Sequence, residues 1–297
     1  MRGRDCTGAP GEKPWPKTIA GIKLSVSRAW NDQRGSRRNR KGETLATQLM
    51  IYETAVPVSH ARHGNWSLEV GTNYAFCRNI NSVPLVAAEF ASAALEYAVV
   101  FGGTGDVVMP VTVLGVRTDE NLYVTKEGGW QAEYIPAFIR RYPFVFFSRD
   151  DGKAFTLCID EAFPGFNQSG RGKRLFGDDG KPTPYVEDVL KFLGQYQREF
   201  QRTQAFCKKL KDLNLLEPMQ AQIKLGSGER MALGGFSVVD RARLKTLSGD
   251  VLAQLVQSDE LELIYAHLVS MRNFATVRDR LAEAQPAPSA GRAPLTH

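Results

Sequence analysis

The stretch YIPAFIRRYPFVFF, residues 134–147, sets Arg140 and Arg141 side by side among Tyr134, Phe138, Tyr142 and Phe144. A guanidinium against an aromatic wall can receive a carboxylate or an aromatic ligand, because its planar fork of N–H donors matches a carboxylate and its face stacks on rings. Trp130 lies just upstream, and Asp160 and Glu161 close the run FTLCIDE downstream. Arg140, Arg141, Tyr134, Trp130, Asp160 and Glu161 are therefore the candidate ligand- or partner-binding residues, and each also has a plainer reading. If PAFIRR forms one helical turn after Pro136, the two arginines project about 100° apart, so at most one faces a given pocket squarely. Both can instead lie along the polar edge of the turn with their stems packed. Tyr134, Phe138 and Tyr142 then fall at i, i+4 and i+8 as one aromatic ridge. Asp160 and Glu161 could act as an acid/base pair only if the chain bends there, since consecutive side chains on a strand point to opposite faces. Two solvated charges at a strand end is the simpler expectation.

Other residues that could do chemistry lack the context for it. FGGTGD, residues 101–106, is neither a Walker A loop nor a dinucleotide-binding loop and sits between two strand-like runs, so it reads as a hairpin turn. HARH spaces His60 and His63 for a metal only on a helix, and the segment AVPVSHARHGNW looks extended; no metal site is expected. Ser59 and Ser82 lack the G-x-S-x-G surroundings of an activated serine. The four cysteines, Cys6, Cys77, Cys158 and Cys207, form no C-x-x-C pair, and Cys158 and Cys207 sit in apolar patterns as buried, inert thiols. No catalytic fingerprint and no cofactor are expected, and the thiols suit a reducing, cytoplasmic compartment.

The positions of the charges exclude a further class. The 297 residues carry a formal charge of +6, but residues 1–44 hold eleven Lys/Arg against four Asp/Glu, and the remainder of the chain 27 against 28. A nearly neutral domain does not present the basic face of a specific nucleic-acid binder. Residues 1–44, with RGSRRNRKGE and no hydrophobic period, read as a disordered basic extension, which we expect to come from an over-extended gene start, the working protein beginning near Leu45 or Met50. Residues 281–297 read as a disordered Ala/Pro tail, leaving 45–280 as the globular domain. The longest apolar stretch, Val83 to Gly105, is interrupted by Glu89 and Glu96, so no transmembrane segment is expected. Nothing in the sequence fixes the oligomeric state.

The elements that must carry the candidates change in character along the chain. YAVVF (97–101), VVMPVTVLGV (107–116), NLYVT (121–125), GWQAEY (129–134), PFVFF (143–147) and FTLCID (155–160) are short runs rich in Val, Phe and Tyr, separated by turn residues, and read as mostly antiparallel sheet. Pro110 implies an edge or a bulge in the second run. A long amphipathic helix then starts at Thr183 as N-cap and Pro184 as first residue, with Val186, Val189, Leu190, Leu193, Tyr196, Phe200, Phe206 and Leu210 on its apolar face and Pro218 as outer limit. QAQIKL (220–225) and MALGGFSVVD (231–240) form a hairpin. Asp240 and Ser258 cap two final helices, about 241–256 and 259–274. The fold class is α+β: antiparallel sheet from the N-terminal half packed with the long helix and C-terminal helices.

The motifs QLMIYETAVPVSHARHGNWSLE, FCRNINSVPLVAAEF, YIPAFIRRYPF, LCIDE, LLEPMQAQIKL and LELIYAHLVSMRNF follow one another in order, and on them the chain resembles the SapC family of proteobacterial proteins over roughly residues 45–280. The resemblance implies a soluble accessory of surface-layer assembly or cell-surface protein export that binds a protein or peptide partner without catalysing a reaction. Similar genes beside TonB-dependent receptors and tryptophan-halogenase-like flavoproteins imply an alternative, a small-molecule-binding protein or enzyme of an uptake locus. A peptide-transport permease shares the family's name, and the lack of a membrane span here argues against transferring that role. The resemblance carries no catalytic residues onto this sequence.

Overall fold

A computed structural model describes residues 22–23, 51–104, 107–149, 154–225 and 228–284. The basic extension other than Ile22–Lys23, the expected start near Leu45 or Met50, Cys6 and the chain after Ala284 lie outside the described residues.

The elements in order are β1 (Ile22–Lys23), β2 (Ala55–Pro57), α1 (His60–His63), β3 (Ser67–Leu68), β4 (Ser82–Pro84), α2 (Phe90–Ala93), β5 (Val99–Thr104), β6 (Val107–Val113) and α3 (Ala137–Arg140). They continue with β7 (Phe144–Arg149), β8 (Ala154–Asp160), β9 (Phe166–Asn167), β10 (Lys173–Arg174), α4 (Pro184–Asp212), β11 (Leu216–Lys224), β12 (Arg230–Val239), α5 (Arg241–Leu244), α6 (Gly249–Gln257), α7 (Glu260–Ser270) and α8 (Phe274–Ala284). This is an α+β fold. The main sheet runs β1-β12-β5-β6-β4, with β11 also paired to β12; all its pairings are antiparallel except β1 with β12. Two smaller sheets, β2-β8-β7 and β10-β3-β9, stand beside it.

The long helix holds the sheets together. Phe206, Cys207 and Leu210 of α4 are buried in the large core with Val99, Phe101 and Val111, while Val186 and Leu193, toward its N-terminal end, are buried in a second core with Phe144, Ile159 and Leu175. Tyr196 lies between these two groups, packed with Val86 and Ala137. Phe200, on the apolar face as expected, is only half-buried, next to Tyr196 on the row Phe192, Tyr196, Phe200. Thr183 takes the extended N-cap conformation, but its hydroxyl donates to the Arg174 carbonyl (2.7 Å) and caps no helix N–H. At the other end Asn214, in the left-handed conformation (φ 52°), turns the chain out of the helix before Pro218 is reached.

Several expectations are corrected. Pro110 is in an internal strand, neither at an edge nor in a bulge: β6 pairs with β5 on one side and β4 on the other. Its carbonyl accepts from the Leu85 N–H just where β4 stops, so the missing donor falls at the end of a ladder. Pro218 and the irregularity between Met219 and Ala221 lie in β11, which is paired on one side only. NLYVT and GWQAEY are not strands; they touch through one bridge, Val124 to Trp130, and otherwise turn. The helix expected over 241–256 is broken into α5 and α6, because Ser248 accepts from Val251 N and starts a new helix. Ser258 ends α6 and does not cap α7, whose N-cap is Asp259. HARH is the helical turn α1, not an extended segment. Residues 281–284, assigned by composition to the tail, continue α8, and Leu281 is buried.

Candidate functional site

The YIPAFIRR stretch folds as expected into a single turn, α3, opened by Pro136, whose carbonyl accepts from Ile139 N and Arg140 N. The turn separates the two arginines. Arg140 is exposed; its Nε donates to the Ile135 carbonyl (2.9 Å) and its guanidinium lies 5.8 Å from the Tyr134 ring and 5.4 Å from the Phe192 ring. Arg141 caps α3 and turns inward, to 9% exposure. Its guanidinium stands 4.3 Å from the Phe138 ring, 4.9 Å from Tyr196 and 5.9 Å from Tyr52. Phe192 and Tyr196 are one turn apart on α4, so the arginines rest on successive rungs of one aromatic row. Arg140 fits the plainer reading of a packed charge at a polar edge; Arg141 does not. The Nε of Arg141 has no hydrogen-bond partner, and no ion pair among the described residues includes it.

The remaining candidates fall into separate groups, each occupied by hydrogen bonds to its own surroundings. Asp160, expected at a solvated strand end, is fully buried: it accepts from Glu53 N (2.8 Å), Thr54 N (3.0 Å), Ala162 N (3.3 Å) and the Tyr142 hydroxyl (3.3 Å), fastening the entry to β2 onto the end of β8. Glu161 turns the other way, as alternation on a strand requires. It accepts a forked pair from Arg62 (2.6 and 2.5 Å) and one bond from His63 Nε2 (2.9 Å). Burial raises its pKa, but the Arg62 and His63 contacts outweigh that and hold the carboxyl below its usual range. His63 is buried and its Nδ1 accepts from Ser59 N, so Nε2 carries the proton given to Glu161. His60 instead packs edge-on to Phe176, and among the described residues no His, Cys, Asp and Glu cluster could hold a metal ion. Trp130 donates from Nε1 to the Tyr97 hydroxyl (2.9 Å) and to the Tyr134 carbonyl (3.3 Å), and its ring faces Tyr74 and Tyr123.

Tyr134 leads to Glu89, which no sequence motif marks as functional. Its hydroxyl donates to Glu89 Oε1 (2.7 Å), which also accepts from Ala137 N (2.6 Å), while Oε2 accepts from Val86 N (2.9 Å). Glu89 thus ties the turn before α2 to the first residue of α3. Burial pushes its pKa up against those three hydrogen bonds. Glu96 does similar work one step along, accepting from Glu133 N and Tyr134 N.

A family model described as SapC matches residues 58–277, a span that holds Glu89 and all six candidates. The chain belongs to the SapC family. No curated protein and no solved structure matches it. In this SapC-family fold another polar residue missed in the sequence joins the sheet together: His267, fully buried on α7, accepts at Nε2 from Val239 N (3.0 Å) and donates from Nδ1 to the Val99 carbonyl (2.7 Å). The pairing of β12 with β5 runs Phe236 to Gly102 and Ser237 to Phe101, and continuing that register sets Val239 opposite Val99. The imidazole therefore fills the gap where the two strands part. Burial pushes its pKa down to about 4, so the ring is neutral, as one accepting and one donating nitrogen require. Cys158 and Cys207 are buried thiols outside any disulfide, as expected, and so is Cys77, whose thiol burial pushes up to about 12.

Proposed function

We propose that this SapC-family protein is a non-enzymatic, cytoplasmic accessory that binds a protein or peptide partner in surface-layer or cell-surface protein export. The carrying observation is the outer surface of the C-terminal helices. On α7, Glu262, Tyr265 and Val269 share the exposed face at i, i+3 and i+7, with Tyr265 48% and Val269 52% exposed, and Val256 of α6 is 57% exposed. Residues 249–270 contain Asp250, Asp259, Glu260 and Glu262 and neither Lys nor Arg. Apolar side chains among carboxylates suit a partner segment that carries both apolar and basic residues. The dispersal of Asp160, Glu161 and the linked Tyr134 and Trp130 into three separate hydrogen-bonded groups speaks for binding over catalysis, because acid/base chemistry needs groups within reach of one reacting atom. One observation favours the alternative, a small-molecule binder of a TonB-dependent uptake locus: the buried Arg141 with its unmet Nε.

A photo-crosslinking residue at position 265, introduced in the native cell, tests the partner reading. We expect a defined crosslinked product whose captured segment contains Lys or Arg among apolar residues, and whose yield falls in high salt. Crosslinks only to a second copy of the chain, or none, would contradict it.

A further inference from the structure

We propose that Arg141 anchors a carboxylate-binding site whose walls are the rings of Phe138, Tyr196 and Tyr52. The inference is independent of the partner surface on α7. An arginine stays charged at any pH a protein meets and carries five N–H donors in a rigid fork. Burying such a group without an acceptor is costly, and a buried polar atom left unmet points to a missing partner. Arg141 is 9% exposed and its Nε is unmet. The ring faces at 4.3, 4.9 and 5.9 Å attract the cation but cannot accept its forked hydrogen bonds.

The chain's own carboxylates do not fill the role. Asp160 accepts from three backbone N–H groups and the Tyr142 hydroxyl, and no ion pair joins it to Arg141 among the described residues. Glu89, close to Tyr196, accepts from Val86 N, Ala137 N and the Tyr134 hydroxyl. The Tyr52 hydroxyl donates to the Phe144 carbonyl (2.7 Å) and its oxygen is a neutral acceptor beside Arg141, but the Nε stays unmet. What the fork lacks is a planar, two-oxygen anion, and what the rings favour is a flat or apolar body attached to it. An aromatic acid and the free C-terminus of a peptide ending in an aromatic residue share that chemistry.

Isothermal titration of the full chain with benzoate against benzamide, and with a peptide ending in phenylalanine as free acid against its C-terminal amide, tests the site and tells the two sources apart. At least one acid should bind saturably, and its neutral amide at least tenfold more weakly. Arg141→Met should lose the preference for the acid, and Arg141→Lys, which keeps the charge without the fork, should retain only part of it. Should Arg141→Met fail to fold, the acid-to-amide ratio in the wild-type chain and in Arg141→Lys decides alone. Absence of saturable binding by either acid, equal binding of acid and amide, or an unchanged ratio in Arg141→Met would overturn the proposal.

Discussion

Glu89 and Arg141 are two buried charges on either side of α3, and the fold treats them in opposite ways. Glu89, 5% exposed, has an acceptor position for each of three donors and joins two segments 48 residues apart. Arg141, 9% exposed, has three rings, the Tyr52 hydroxyl beside its guanidinium and no acceptor for its Nε. A buried charge met by hydrogen bonds belongs to the architecture, because removing it strands its partners; a buried charge without them costs stability and is kept for another reason. The difference separates what holds this protein together from what it has to offer a ligand.

The comparison can be broken from the Glu89 side first. Glu89→Ala leaves two backbone N–H groups and the Tyr134 hydroxyl unmet in a buried position and should destabilise the fold by about 3–5 kcal/mol in urea unfolding. A loss under about 1 kcal/mol would mean that Glu89 is no more needed than Arg141. Asp160→Ala frees the entry to β2 in the same manner, although Glu53 and Thr54 are exposed enough for water to replace part of what is lost, so about 2–3 kcal/mol is expected.

His267 supplies a test by pH. Its folded pKa lies below the unfolded value of about 6.5, so between the two the unfolded chain takes up a proton that the folded one refuses. The stability tied to the neutral ring is complete above pH 6.5 and declines as the pH falls toward 4. Glu89, with a raised folded pKa, has the opposite sign: protonation at low pH relieves its burial, and the cost returns as the pH rises. The urea midpoint should therefore fall from pH 7 to pH 5 while the His267 ring signals do not titrate. Titration of that ring near pH 6.5 would show that it does not bridge Val239 and Val99. The smallest effect belongs to the exposed pair: Arg62 is 58% exposed at its side chain, and Arg62→Ala should cost less than about 1 kcal/mol and leave the His63 to Glu161 bond in place.

The parts of this structure legible in the sequence are those set by local pattern. The apolar spacing of α4 from Val186 to Leu210, the β11–β12 hairpin and the turn after Pro136 follow from periodicity, and the inward and outward arginines from the 100° step of a helix. What periodicity cannot register is a long-range polar bond. Glu89 looks in the sequence like an interruption of an apolar run, and only the Val86-x-x-Glu89 spacing hints that it folds back on its own turn. Tyr52 and Tyr196, 144 positions apart, meet only around Arg141. NLYVT and GWQAEY have strand composition, yet Asn121, bonded to Tyr123 N and the Cys77 carbonyl, holds the first as a turn. Trp130 and Tyr97 use their polar atoms to hold the second. The break between α5 and α6 follows from Ser248 before Gly249 and Asp250, a helix-start signal that lies inside a longer apolar pattern.

The claim on which the reading of the site rests is that the fold does not need the charge of Arg141. Urea unfolding of Arg141→Met against the wild-type chain, without added carboxylate, measures it directly. Methionine keeps an unbranched apolar stem as far as the Nε position and removes the unmet cation together with its ring contacts, so the variant should be as stable as the wild type to within about 1 kcal/mol, or more stable. A loss beyond about 1 kcal/mol, approaching that of Glu89→Ala, would show that the guanidinium is held by its rings as part of the architecture, and would contradict the account.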